Sequence, residues 1–273
     1  MNGEPTIPPA GAPVRKGASV YEVRLARDAD DLAAAQRLRY AVFVEELGAK
    51  SAGADHVNRL ERDDLDAHVD HLLLIDRRAD PAERAHVVGV YRLLPQERAR
   101  ELGRFYSDAE FDLTPLRQSG RRLVELGRSC VHADHRRGAA MVLLWNGLAE
   151  YVLARGIEIL FGVASFHGTD PARHASALAW LHRHHRAPEA LRVTARGAGT
   201  VALDPFPERA IDKTEAQAGV PPLIRAYLRL GGSIGDGAYI DYDFNTLDVC
   251  LIVDTATMSG RAVDHYTRKS PRG

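Results

Sequence analysis

Two charged residues interrupt an otherwise apolar run of this 273-residue chain, Leu123-Val124-Glu125-Leu126-Gly127-Arg128-Ser129-Cys130-Val131. An ionised group taken out of water costs several kcal/mol unless it is paired or hydrogen-bonded. Glu125 and Arg128 are therefore either a structural ion pair or the working groups of a site. Residues three apart on a regular strand face opposite sides. A direct pair would need a bulge, which Gly127 can supply. Just beyond, His135-Arg136-Arg137-Gly138-Ala139-Ala140 opens a helix. Exposed amides and the helix dipole favour an anion there, so this turn is either a phosphate site or a plain connection. A second cluster, Glu61-Arg62-Asp63-Asp64-Leu65-Asp66, follows Arg39-Tyr40-Ala41-Val42-Phe43-Val44-Glu45-Glu46. It is either a solvated turn or a negative pocket for an amino-group substrate, with Arg39 or Arg92 on a carboxylate.

Other chemistries lack their residues. The run His182-Arg183-His184-His185-Arg186 has metal-like histidines, but its arginines repel a cation and no neighbouring cysteine or carboxylate completes a set, so no metal is expected. There is no P-loop, no glycine-rich dinucleotide fingerprint and no Gly-x-Ser-x-Gly elbow. Cys130 and Cys250 are too few for a disulfide framework and sit in apolar runs, as buried free thiols do.

The elements that position these groups follow from periodicity. Val20–Arg27 alternates as a strand. Asp28 caps a helix carrying Leu32, Ala35, Leu38, Val42 and Phe43, ended by Gly48. His71–Asp76 and His86–Leu94 form a hairpin. Glu97–Gly120 is a mixed connection anchored by Phe105, Tyr106 and Phe111. Strand Arg122–Val131, helix Ala139–Arg155 and strand Ile157–Phe166 follow, with Gly156 closing the helix. Asp170 opens a helix to about His185. Pro205–Gly219 reads as a loop, Pro221–Leu230 as a short helix and Leu247–Asp254 as a buried strand. The order β-α-β-β-β-α-β-α predicts an α/β fold around a central mixed sheet. Residues 1–18, with four prolines and no period, read as a disordered lead-in to a single domain over 19–273. With 36 basic and 37 acidic residues the chain is no general nucleic-acid binder. No stretch is apolar and long enough to span a bilayer, and the N-terminus has no signal core, so a cytoplasmic protein is expected.

Taken in order, these segments resemble the bacterial L-ornithine Nα-acyltransferases of ornithine-lipid synthesis, relatives of acyl-homoserine-lactone synthases and of the Gcn5-related N-acetyltransferase (GNAT) fold. The matching stretches are RYAVFVEELG (39–48), DDLDAHVDHLLLID (63–76), VGVYRLLP (88–95), FYSDAEFDLTPL (105–116), VELGRSCV (124–131), LWNGLAEYV (144–152), LFGVASFHGTDP (160–171) and residues 221–255. Together they span residues 20–255. The signalling synthases lack the last stretch, which favours the ornithine-lipid branch. Arg137-Gly138-Ala139-Ala140 departs from the acetyl-CoA family's Arg/Gln-x-x-Gly-x-Gly/Ala loop. The compression argues against ordinary acetyl-CoA use and suits the single phosphate of a phosphopantetheine arm.

The resemblance implies a three-layer GNAT-like fold. It implies transfer of a 3-hydroxyacyl chain from acyl carrier protein to the α-amine of L-ornithine, giving lyso-ornithine lipid, with no further cofactor. It assigns Glu125 as general base and Arg39, Phe43, Asp63, Asp66, Arg92 and Arg128 to substrate binding. Arg136, Arg137, Gly138 and Ala139 would hold the phosphopantetheine. Trp145 and Phe166 are expected in the acyl tunnel, with Met141, Leu144, Leu148 and Phe161 as further candidates. An acidic carrier protein would dock on arginine-rich windows at 117–137 and 183–196. The amphiphilic product suggests peripheral contact at the inner membrane face. Three readings remain open at this point: the ornithine acyltransferase, a signal synthase using S-adenosylmethionine, and a non-catalytic acyl-carrier-binding protein.

Overall fold

The computed structural model describes residues 20–83, 85–137, 139–208 and 210–258. The lead-in expected at 1–18 lies outside the described residues. The strands of the main sheet are β1 (Tyr21–Leu25), β2 (Asp70–Asp76), β3 (Val87–Pro95), β4 (Leu123–Val131), β5 (Ile159–His167), β6 (Thr200–Val201), β7 (Ser233–Ile234), β8 (Ala238–Asp241) and β9 (Thr246–Asp254). Their order is β1-β2-β3-β4-β5-β9-β8-β6, with β7 also on β9. All pairs are antiparallel except β4 with β5. The expected central mixed sheet is thus present.

Alternation along the strands sorts the core onto two faces. Leu72, Leu74, Val124, Leu160, Leu251 and Val253 pack with α2 (Ala140–Arg155), α3 (Ala175–His185) and α4 (Pro222–Arg229). On the other face, Leu73 and Val90 pack under α1 (Ala29–Arg39), while Leu123, Phe161, Cys250 and Ile252 pack under the segment carrying Phe105, Phe111, Leu113 and Leu116. This gives the three layers expected.

Some elements differ from the sequence reading. The first helix is α-helical only to Arg39 and continues as a π-helix over Tyr40–Glu46, where Leu47 N donates to Val42 O. The 97–120 connection contains helices Gln96–Leu102 and Thr114–Gln118. The expected 205–219 loop contains a helix over Lys213–Gly219, capped by the Asp212 side chain, with Ala216 as its buried contact. One small buried residue leaves no apolar period to read. Strand β8, four residues long, was not anticipated for the same reason.

The decisive feature lies between β4 and β5. Their parallel register runs only from Leu123↔Ile159 to Glu125↔Phe161. Beyond it each strand follows its outer neighbour, β4 along β3 and β5 along all nine residues of β9. The β3–β4 ladder shifts between Val90 and Arg92, and Arg128 there takes φ +46°. Such a left-handed non-glycine costs about 1–3 kcal/mol, and the bulge bends β4 away from β5. Close approach before the splay depends on Gly162, where a Cβ would lie 2.2 Å from the Leu126 carbonyl oxygen. Gly162→Ala should force the strands apart and destabilise the fold by about 1–3 kcal/mol, readable as a lower urea midpoint. An unchanged midpoint would show that this contact does not set the splay.

Candidate active site

The splay opens a cavity of about 230 Å³. It passes between the strands and so touches both faces of the sheet. On the α4 face its wall is apolar, with Tyr91, Leu126, Leu160, Leu223, Tyr227, Leu251 and Val253. On the other face Tyr106, Glu125, Arg128, Asp241, Phe244 and Asp248 line it.

Glu125 is 3% exposed. Its Oε2 accepts from Tyr106 N at 2.7 Å, and its Oε1 from Ser107 N at 2.7 Å and from Ser107 Oγ. The carboxylate thus caps the first turn of the 3₁₀ helix Tyr106–Ala109. Burial pushes its pKa above the usual glutamate value, and the Ser107 and Tyr106 donors pull the other way.

Arg128 does not pair with Glu125, despite the bulge. Its Nε reaches Glu61 Oε1 at 3.2 Å and its guanidinium lies 3.7 Å from Asp63. It sits over the Phe244 ring at 4.2 Å and the Tyr106 ring at 4.9 Å, in cation–π geometry. Burial alone would favour loss of its proton, but Tyr106, Glu61 and Asp63 outweigh it and keep the group charged.

Of the other residues assigned to substrate binding, Phe43 and Arg92 line the cavity. Arg39, Asp63 and Asp66 lie outside its lining, in a buried network. Arg39 is fully buried and pairs with Glu61 at 2.6 Å and with both Asp66 oxygens at 2.6 and 2.8 Å. Arg92 pairs with Asp63 at 2.6 Å and Asp66 at 3.3 Å. Burial pushes the Asp66 carboxyl up, but Arg39 and Arg92 reverse this and hold it far below the carboxylate range.

The phosphate turn lies at the exposed start of α2. Arg136 Nε donates to Val131 O, and its guanidinium pairs with Glu46. Arg137 and Ala139 are exposed, and Gly138 lies outside the described residues. Trp145 and Phe166 are buried just behind the lining, Trp145 stacked on Tyr227 at 4.7 Å and Phe166 beside His174. Phe161 lines the cavity; Met141, Leu144 and Leu148 do not. In the two arginine windows several side chains hold intramolecular carboxylates: Arg117 to Asp108, Arg121 to Asp254, Arg183 to Asp204 and Arg186 to Asp236.

Cys130 and Cys250 are buried free thiols. Burial pushes Cys130 up to about 12, so it stays protonated and unsuited to nucleophilic attack.

Sequence reasoning missed two wall residues, Leu223 and Tyr227, and three carboxylates, Glu110, Asp241 and Asp248. One oxygen or more from each of the three converges within 4.8 Å of the others. Asp248 interrupts an apolar strand just as Glu125 does, so the same signal was available. Glu110 follows the 3₁₀ helix in an aperiodic connection and offered none.

An acetyltransferase (GNAT) domain family matches residues 38–146. A protein named L-ornithine N(alpha)-acyltransferase from Rhodobacter capsulatus is 59% identical over 249 residues, covering 91% of this chain and 95% of its own length. Proteins of the same name from Rhizobium meliloti and Brucella abortus are 42% and 41% identical, covering 90% and 92% of this chain and 83% and 90% of their own lengths. Among solved structures, a CoA-dependent acyl-homoserine lactone synthase aligns over 88% of this chain and 81% of its own at 18% identity, with a TM-score of 0.46.

Proposed function

The chain belongs to the L-ornithine N(alpha)-acyltransferases, and from that premise we propose that the β4–β5 cavity joins a 3-hydroxyacyl group from acyl carrier protein to the α-amine of L-ornithine. The observation that carries this reading is the passage of one cavity through the sheet, apolar on the α4 face and charged on the other. An acyl thioester and a cationic amino acid need opposite surroundings, and here they meet beside Glu125.

At neutral pH the α-amine arrives as an ammonium. One proton passes to Glu125, directly or through a water, and the freed nitrogen attacks the thioester carbonyl carbon. The C–N bond forms and the C–S bond breaks. The amide nitrogen loses its second proton to the departing thiolate, which leaves as phosphopantetheine thiol. A base works best with a pKa near the working pH, and burial raises Glu125 in that direction. The β3–β4 ladder skips Arg128 and Ser129, so a backbone N–H of this bulge is the proposed donor to the oxyanion. Arg128 or Arg92 receives the acceptor's carboxylate. Arg137 and Ala139 meet the phosphopantetheine phosphate, and Arg136 joins them by exchanging Glu46.

The acyl chain lies along Leu126, Leu160, Leu223, Tyr227 and Leu251. Leu223→Trp should shorten the preferred acyl chain, read by competing donors of different length in one reaction. An unchanged length profile would remove this wall from acyl selection. No helix among the described residues is long and apolar enough to cross a membrane. The proposed place of work is the cytoplasmic side, with peripheral contact where the lipid product enters the bilayer.

The donor is tested by giving the protein L-ornithine with the same acyl group on carrier protein or on coenzyme A. Higher kcat/KM with the carrier protein is expected. An equal or higher value with coenzyme A would overturn the donor assignment.

A further inference from the structure

Glu110 and Asp248 are 4% and 2% exposed, and Asp241 is half-buried. Glu110 Oε2 and Asp248 Oδ1 have no hydrogen-bond partner among the described residues. A buried acceptor left unmade costs about 1–3 kcal/mol, and three carboxylates so close repel one another. The fold pays that cost at the cavity: Asp241 and Asp248 line it, on the same face as Glu125. Arg128 acts on Glu110 and Asp248 electrostatically, but its ion pairs are with Glu61 and Asp63. The trio therefore lacks a cation of its own.

We infer that Glu110, Asp241 and Asp248 form the pocket for the side-chain ammonium of the acceptor amino acid, holding it by three converging carboxylate oxygens, those of Asp241 and Asp248 on the cavity lining and that of Glu110 beside them. This rests on the ornithine reading above and names the part of the site that recognises the second amine. An ammonium with three hydrogen bonds of about 2.8 Å in tetrahedral directions places its acceptors about 4.6 Å apart, within the spread of this trio. The neighbouring guanidinium of Arg128 and the aromatic rings of Tyr106 and Phe244 suit a monovalent cation better than a divalent one. With the side-chain ammonium held there as a cation, that nitrogen is no nucleophile, and the α-amine is left to meet the thioester. The pocket would thus set both acceptor identity and which amine is acylated.

The test compares L-ornithine with L-norvaline, which has the same carbon chain without the terminal amine, in wild type, Asp248→Asn and Glu110→Gln. Each variant keeps the shape and removes a carboxylate. The expected result is a fall of about 10- to 100-fold in the ornithine-to-norvaline ratio of kcat/KM. The fall should come from KM for ornithine, with norvaline little affected. Asp241→Asn, at the half-buried position, should move the ratio the same way and covers a folding failure of the other two. Folded variants with an unchanged ratio, alongside a wild type active on ornithine, would overturn the pocket and leave the family reading intact. A wild type that does not acylate ornithine would remove both. A Mg²⁺ or Ca²⁺ titration that stabilises the wild type but not Asp248→Asn would assign the trio to a divalent cation and overturn the inference.

Discussion

Glu125→Gln should lower turnover by about 10²–10⁴-fold, the usual loss when a general base is removed, with KM for ornithine little moved. The amide cannot take the proton. It also turns one NH₂ toward a Tyr106 or Ser107 donor that now meets a carboxylate oxygen. Melting temperature must therefore be read on the same sample, because a stranded backbone donor costs about 1–3 kcal/mol by itself. Ser107→Ala separates the two effects. It removes one hydrogen bond to Glu125 and keeps the base. Because that bond pulls the Glu125 pKa down, its loss should move the acid limb of the pH–rate profile to higher pH, with turnover reduced by about tenfold, the lower end of the scale for one hydrogen bond to a charged group. A folded Glu125→Gln protein with wild-type turnover would take Glu125 out of the chemistry and leave it as the cap of the Tyr106–Ala109 turn.

Arg39→Met is expected to be the most destabilising single change, by about 3–5 kcal/mol, because removing one partner of a buried ion pair strands the other. Asp66 would keep Arg92 at 3.3 Å, and Glu61 would keep Arg128 at 3.2 Å. For a chain of this size the drop in melting temperature is roughly 10 °C. The pH dependence should weaken. In the wild type the Asp66 carboxyl is depressed, so its stabilisation is present above the unfolded pKa and is lost as pH falls through the lower folded one. In the variant, burial is opposed only by Arg92 and Gln36, so the carboxyl is less depressed and less stability is lost on the acid side. Melting curves between about pH 2 and pH 7 check this. A variant that melts like the wild type would show that the network contributes little.

The charged pair in the β4 run was legible because an ionised side chain in an apolar strand demands an explanation from any fold. Which explanation holds was not legible. Glu125 and Arg128 both find partners far along the chain, Ser107 and Glu61, and no local rule points to them. The same limit hides the role of Arg39, Asp63 and Asp66. Their charges imply pairing, but only the packing of α1 against the 61–66 segment shows that they answer one another. Asp248 carried the same signal as Glu125, a charge in an apolar strand, but nothing local says what it faces. The nine-residue register with β5 draws it inside. Leu223 and Tyr227 lie on a short helix whose docking against the splay depends on contacts across much of the chain. The sheet and its order of helices and strands came through because periodicity and the glycine stops are local signals.

The most direct test of the account is the product formed from L-ornithine and 3-hydroxyacyl carrier protein, with ornithine labelled with ¹⁵N at the α position. The account predicts one lipid whose mass is ornithine plus the 3-hydroxy fatty acid less one water, with the label in the amide nitrogen on fragmentation. A lipid with the label in a free amine, or a lactone formed only when S-adenosylmethionine replaces ornithine, would contradict it.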